Sequence, residues 1–303
     1  MMIKLRDLQY LDAVVEHQHF GRAAEACFVS QPTLSGQIMK LEEQLGLTLF
    51  ERHRKKVMLT PAGTALIDQA RKVLRAAQEF EETARALLDP LSGDFHLGLI
   101  PTVGPYLLPH IMGPLTEKLP NINFYLHEGQ THQLMQMLDE GKLDAVILSW
   151  MDTFNNVERY SLFNEPLLLA LPNSHPLSKK QSPTLKDLDK QLILTLEDGH
   201  CLRDETMDYC FTAGAEEDQH FRATSLETLR YMVGNQRGIT LMPELAMRES
   251  DAQSGLSYRR FAKPEPTREI CLLVRPNYSR LESVRAMVGC IREAITPKLE
   301  SAK

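Results

Sequence analysis

Residues 61 to about 88 carry a helical pattern without a break, and that stretch divides the chain. From Pro61, apolar side chains fall at Leu66, Ala70, Val73, Ala77, Phe80, Ala84 and Leu87, in steps that alternate four and three. This period is the seam of a coiled coil, and the small alanines make it a close one. Asp89-Pro90-Leu91-Ser92-Gly93 then ends the helix. The chain is therefore expected to have a head of residues 1–60, a linker helix of 61–90 that pairs two heads, and a body of 91–303. The alternative is a helix packed on its own domain.

The head reads as short helices. Leu5, Leu8, Leu11, Val14 and Val15 make one helical stripe, and Phe20 to Phe28 is a short alanine-rich helix. Ser30 is a helix cap and Pro32 is tolerated in the first turn that follows. The next helix carries Leu34, Ile38, Leu41 and Leu45 on one side, and Gly46 ends it. Two helices joined by a tight turn make a helix-turn-helix. The outward positions of the second helix, Gln31, Thr33, Ser35, Gln37 and Lys40, with Pro32 at its start, are base-reading side chains and one phosphate partner. Arg52, His53, Arg54, Lys55 and Lys56 lie between Leu49-Phe50 and Val57-Met58-Leu59, which predicts a hairpin wing with a basic tip for phosphate. A helical bundle with a solvated charge run is the plainer alternative. Cys27 is expected to be a buried apolar residue.

From Phe95 short apolar runs alternate with helical stretches, predicting an α/β body with a parallel sheet. Strands are expected near 95–100, 122–127, 143–148, 166–171, 191–196, 218–222, 238–242 and 269–274. Helices are expected near 104–118, 131–140, 201–213, 225–234 and 279–296. Thr102 follows the first strand and Thr131 opens the helix after the second. Thr224 and Ser225 open another, with Glu227 spaced for a capping box from Thr224. Hydroxyls at such helix starts cap without further function, but their position where strands end is also where a small polar ligand binds.

Cys201-Leu-Arg-Asp-Glu-Thr-Met-Asp-Tyr-Cys210 carries the chemistry. A thiol at a helix start beside His200 and Arg203 tends to be deprotonated, and the thiolate is the reactive form. In a helix, nine residues turn the second cysteine to the opposite face, roughly 13 Å away, whereas a disulfide needs Cα atoms about 5.5 Å apart. These two cysteines bond only if the helix unwinds. Two cysteines at this spacing are also common as inert core residues.

Five cysteines, scattered at 27, 201, 210, 271 and 290, do not form a structural disulfide framework, and Cys271 and Cys290 are expected to be inert core. No stretch approaches the ~20 apolar residues of a membrane span, and no apolar leader opens the chain. A cytoplasmic protein with resting thiols is expected. The net charge of −6 argues against a nonspecific polyanion binder. Residues 1–89 balance 12 basic against 12 acidic side chains, leaving phosphate contact to a local tip. No metal-ligand cluster, nucleophile elbow, P-loop or dinucleotide fingerprint appears, so no metal or cofactor is expected.

Phe20-Gly-Arg-Ala-Ala-Glu-Ala, Ser30-Gln-Pro-Thr-Leu-Ser, Leu49-Phe-Glu-Arg and Leu59-Thr-Pro-Ala-Gly63 together resemble the LysR-type transcriptional regulators. Glu197 through Cys210, Pro101 to Pro109 and His127 to Gln133 are similar to the peroxide-sensing branch of that family. The resemblance covers nearly the whole chain. It implies a winged helix-turn-helix, a linker helix and a two-lobed regulatory domain like periplasmic binding proteins. Lobe I would be 91–164 with 268–303, and lobe II 165–267. It implies a dimer of dimers on double-stranded promoter DNA, contact with RNA polymerase, hydrogen peroxide as the signal and a glutaredoxin-type thiol reductant. By motif, Cys201 matches the peroxidatic and Cys210 the resolving cysteine, with Thr102, Thr131, His200 and Arg268 around the peroxide pocket. Glu205 and Asp208 add negative charge that raises a thiol pKa. Sensing of this kind is stoichiometric, not enzymatic. The alternatives are a regulator that binds a small metabolite between its lobes, and a thiol peroxidase-like enzyme with a DNA-binding head.

Overall fold

The computed structural model describes residues 3–53, 56–248, 251, 253 and 255–301. The chain divides into two compact units, Met1–Leu87 and Leu88–Lys303.

The first unit opens with α1 (Leu5–His17), α2 (Phe20–Ala26) and α3 (Gln31–Leu45). Leu34, Ile38 and Leu41 of α3 are buried against Leu11 and Val14 of α1 and Ala23 and Ala24 of α2. Ser30 Oγ accepts from the Thr33 amide at 3.3 Å, supplying one of the orphan donors of the α3 start. Gly46 closes α3 at φ +66°, where a side chain is disfavoured. β1 (Phe50–His53) and β2 (Lys56–Leu59) pair as an antiparallel hairpin, with Phe50 opposite Leu59 and His53 opposite Lys56. Phe20 meets Phe50 edge-on at 5.9 Å and ties the hairpin to the helices. Cys27 is half-buried, not buried as expected, because it sits where α2 ends and the chain turns outward.

α4 (Pro61–Leu88) is the long helix. Its seam divides. Ala70 is buried in the core of the first unit, as is the neighbouring Ile67 off the seam, and Leu66 packs against that core, while Val73 and Phe80 are 48% and 76% exposed. The early turns pack on their own head, and the later ones leave apolar side chains uncovered.

The second unit is a mixed α/β body. β3 (Gly93–Leu99) runs parallel to β4 (Ile122–Glu128) and to β5 (Ala145–Ser149). α5 (Gly104–Lys118) and α6 (Thr131–Asp139) make the crossovers. β6 (Glu158–Pro172) and β11 (Thr267–Val274) are antiparallel to each other, and β11 is antiparallel to β5. The purely parallel sheet expected from the alternating pattern is therefore corrected to a mixed one. Residues 158–165, too polar to read as a buried strand, pair with β11 and extend β6 to 15 residues. β6 runs from one apolar cluster to another. Leu162 belongs with β3, β5, β11, α5 and α9 (Leu281–Ser301), whereas Leu167, Leu169 and Leu171 belong with the second cluster.

That second cluster gathers β7 (Leu192–Leu196), α7 (Cys201–Thr212), β8 (Glu216–Ala223), α8 (Leu226–Gly234), β9 (Thr240–Pro243) and β10 (Leu256–Arg259). β7 and β8 are parallel, while β9 and β10 pair antiparallel with β6. α8 is capped by Ser225, whose Oγ accepts from the Thr228 amide at 3.2 Å. The expected box between Thr224 and Glu227 does not form. Glu227 instead accepts from Tyr106 Oη at 3.0 Å and from Arg248 at 2.9 and 3.0 Å. Among the described residues, no helix is long and apolar enough to cross a membrane.

Candidate redox site and nucleic-acid interface

The site is built where α6 and α7 start side by side. Gly199, at φ +97°, makes the turn into α7, and an added Cβ there would lie 2.8 Å from Gln130 Oε1. The backbone has to be bare at this point for the two helix starts to meet. Thr131, first residue of α6, then places its Oγ1 2.7 Å from Cys201 Sγ, first residue of α7.

Behind them, Arg268 of β11 donates through Nε to Glu165 Oε2 at 2.9 Å, through Nη1 to Thr102 Oγ1 at 3.1 Å and through Nη2 to Thr102 O at 2.9 Å. Arg268 and Glu165 are both about 1% exposed. Thr102, Thr131, Arg268 and Cys201 thus come together. Glu165 went unread in the sequence, although a single charge heading the apolar run Pro166–Pro172 is a signal for a buried partner.

His200 takes the N-cap position of α7 without a side-chain capping bond and is buried, which pushes its imidazole pKa down and leaves it neutral near pH 7. Arg203 does not face the thiol. It donates to Glu217 Oε1 at 2.9 Å and lies 3.4 Å from Asp198 Oδ1. The expectation of a resting thiolate is corrected accordingly. Burial pushes the Cys201 thiol up to about 11, the Thr131 hydroxyl and Arg268 pull it down, and Glu205 and Asp204 push it up. Asp208, expected to act with Glu205, is exposed, and Asp204 takes that part.

Both Cys201 and Cys210 are free and buried within one continuous helix. Cys210 packs in the cluster with Leu194, Leu202 and Ala215, away from Thr131. A cleft of about 450 Å³ opens beside Cys201, lined by Thr131, Met135, Met151, Phe154 and Asp204. The arrangement holds a protonated thiol beside a hydroxyl and within the field of a buried guanidinium. An incoming oxidant meets a sulfur whose anion has stabilisers in place.

Thr131→Val keeps the shape of the side chain and removes its hydroxyl. A hydrogen bond to a charged group is worth about 1.5 kcal/mol or more, which corresponds to roughly tenfold in thiolate. Mass-mapped iodoacetamide alkylation of Cys201 at pH 8 is therefore expected to slow by about that factor. An unchanged rate would show that the hydroxyl does not support the thiolate.

On the first unit, α3 presents Gln31, Pro32, Thr33 and Lys40 exposed and Ser35 and Gln37 half-buried, while Leu34 and Ile38 turn inward. Thr33 Oγ1 lies 2.8 Å from Ser30 Oγ, so its hydroxyl is shared with the cap. Arg52 lies opposite Val57 and Lys56 opposite His53 in the β1–β2 register. Arg54 and Lys55, the expected wing tip, lie outside the described residues.

Residues 5–64 match the lysR-family bacterial regulatory helix-turn-helix protein, and residues 89–296 match the LysR substrate binding domain. The chain belongs to the LysR family. As a LysR protein it has the winged helix-turn-helix head, the long connecting helix and the two-cluster body described above; any likeness to periplasmic binding proteins is one of architecture. It is 50% identical over 298 residues to the DNA-binding transcriptional dual regulator OxyR of Escherichia coli K12, covering 98% of this chain and 96% of that protein. It is 44% identical to the hydrogen peroxide-inducible genes activator of Haemophilus influenzae, covering 99% of this chain and 100% of that one. Among solved structures, a Cys-to-Asp variant of full-length OxyR from Pseudomonas aeruginosa superposes with a TM-score of 0.77 at 36% identity, covering 97% of this chain and 99% of that one. The oxidized form of OxyR gives 0.64 at 48% identity, covering 68% and 98%.

Proposed function

We propose that this LysR protein is a DNA-binding regulator that senses hydrogen peroxide through a reversible Cys201–Cys210 disulfide and activates oxidative-stress genes. The observation that carries the reading is the pair of free, buried cysteines on opposite sides of one unbroken helix. The relatives named hydrogen peroxide-inducible genes activators support it.

The Cys201 thiolate attacks one oxygen of peroxide. The O–O bond breaks, Cys201 becomes a sulfenic acid, and hydroxide leaves and takes a proton to become water. Thr102 and Thr131 orient the peroxide, and Arg268 stabilises the sulfur anion and the leaving oxygen. His200 contributes as a neutral group. The larger, polar sulfur no longer suits the buried position of Cys201 at the start of α7. α7 unwinds, the Cys210 thiol attacks the sulfenic sulfur, and a disulfide and a second water form. Two thiols and one peroxide thus give one disulfide and two waters. A glutaredoxin-type thiol reductant resets the state by exchange.

The body divides into lobe I, 91–164 with 268–303, and lobe II, 165–267. Remodelling of α7 changes how the bodies associate, and the linker helices of 61–90 re-space heads in a dimer of dimers. Gln31, Pro32, Thr33, Ser35, Gln37 and Lys40 contact bases and phosphates. Arg52, Arg54, Lys55 and Lys56 grip the backbone beside them. RNA polymerase reads the changed footprint. The protein acts in the cytoplasm and binds no cofactor.

A brief, near-stoichiometric peroxide pulse is expected to give a Cys201–Cys210 disulfide by mass mapping and a shifted footprint on promoter DNA. With Cys210→Ser, the same pulse leaves Cys201 as a trappable sulfenic acid and the footprint stays in its reduced form. An intramolecular disulfide in Cys210→Ser would sink the pairing. The cleft beside Cys201 favours one alternative, a metabolite ligand. Unmodified cysteines, an unchanged footprint and ligand-dependent thermal stabilisation would establish that instead.

A further inference from the structure

Cys201 and Glu205 are four residues apart on α7, neighbours on one face, with Cβ atoms about 5–6 Å apart. Ser149, at the end of β5, donates to Glu205 Oε1, whereas Glu205 Oε2 is buried without a hydrogen-bond partner. A carboxylate oxygen sealed from water and left unpartnered is a costly place for a full negative charge. The charged groups facing Glu205 are few. From β11 comes Arg268, from β6 Glu165, and from its own helix Asp204 and the Cys201 thiol. Arg268 is the one cation in this set, and Glu165 already holds it at 2.7 Å. Glu205 and the Cys201 thiolate therefore compete for what is left of a single positive charge.

We propose that Glu205 gates the Cys201 thiol: a protonated carboxyl leaves the thiolate its share of the Arg268 field, and an ionised one suppresses it. The proposal rests on the peroxide reading for its biological meaning, as it assigns a pH window to that response. Burial raises the Glu205 carboxyl to about 7, with Glu165 and Asp204 adding to the rise and Arg268 and Ser149 opposing it, so it titrates where a cell operates. An isolated thiol well below its pKa gains about tenfold in thiolate for each step of one in pH. Here Glu205 ionises across the same interval and raises the thiol as it does so, which flattens the gain. The sensor is held at a nearly constant reactivity through the neutral range. At this spacing and an effective dielectric constant near 20, the suppression amounts to roughly a hundredfold or somewhat more in thiolate.

The test compares the full-length protein with Glu205→Gln, which keeps the shape and cannot ionise. Two rates are followed at Cys201 by mass mapping between pH 5.5 and 8.5: alkylation by iodoacetamide, which needs no peroxide chemistry, and oxidation by a peroxide pulse. The alkylation ratio, variant over parent, is expected to be near one at pH 5.5 and to climb to ten or more above pH 8. Ser149→Ala, which removes the hydrogen bond that favours the ionised carboxylate, is expected to move the midpoint of the parent's flattened region to higher pH. An alkylation ratio constant across the pH range overturns the gate, whatever peroxide does. A rising alkylation ratio in a protein that peroxide leaves unoxidised upholds the gate and overturns the peroxide reading.

Discussion

Replacing Arg268 with methionine is expected to destabilise the second unit by about 3–5 kcal/mol. Methionine fills a similar volume but leaves the Glu165 carboxyl about 1% exposed and without its cation, with the Leu245 amide at 2.9 Å as its remaining support. An isolated buried carboxylate is far from its preferred environment, and the loss of the guanidinium also strips Thr102 Oγ1 of its donor. The same substitution removes the cation that favours the Cys201 thiolate, so alkylation of Cys201 slows as stability falls. The sequence holds a single tryptophan, Trp150, which lies in the second unit. Its fluorescence in a urea titration follows that unit without interference from the head. Pairing Arg268→Met with Glu165→Leu replaces both charges by apolar groups and is expected to recover much of the loss. A single variant with an unchanged urea midpoint would show that Glu165 is not dependent on Arg268 for its charge.

Arg268 and Glu165 also mark how far the chain is legible without its structure. The helical stretches read from the sequence match α3, α5, α6, α7 and α8 within a residue or two, most securely where a cap and a glycine stop bound the helix. Ser30 and Gly46 of α3 are the clearest instance. Strands read well where they are buried on both faces, as in β5, and poorly at residues 158–165 of β6, whose polar side chains alternate with half-buried ones. Strand direction is not legible. The alternating pattern implies parallel neighbours, but β11 reaches β5 and β6 from the far end of the chain and lies antiparallel to both. At the site, Cys201, Thr102 and Thr131 are legible from their places at helix starts and strand ends, Arg268 comes from resemblance, and helix geometry alone requires Cys210 to face elsewhere. The charge state is where sequence reasoning goes wrong. Neighbours in sequence, His200 and Arg203, are credited with acidifying the thiol, yet one is neutral through burial and the other is turned to Glu217. Burial depends on what packs around a side chain from distant segments, and it outweighs adjacency.

Gly63→Ala sets two expectations against each other, and their difference is large enough to measure. By helix propensity, alanine within the first turn of α4 is better than glycine by up to about 1 kcal/mol. By packing, an added Cβ would lie 2.2 Å from Leu49 O and 2.8 Å from Leu59 Cδ2. The backbone has little freedom to give way. The Thr60 amide donates to that same Leu49 oxygen at 2.9 Å, Thr60 Oγ1 donates to Thr48 O at 2.6 Å, and the Gly63 amide donates to Thr60 Oγ1 at 3.0 Å. The start of α4 is therefore fastened to the strand that carries the wing, and steric overlap decides the outcome. The first unit is expected to lose about 3 kcal/mol, with hydrogen exchange rising in α1 to α3 and promoter DNA binding lost. The Trp150 transition of the second unit stays where it was. Gly36→Ala is the matched control, since a Cβ there meets nothing within 4 Å on α3, and it is expected to stabilise the same unit by roughly 0.5–1 kcal/mol. If Gly63→Ala instead behaved like Gly36→Ala, α4 would not be seated on Leu49 as the structure has it. The connection from wing to linker helix would then be looser than the proposed re-spacing of heads requires.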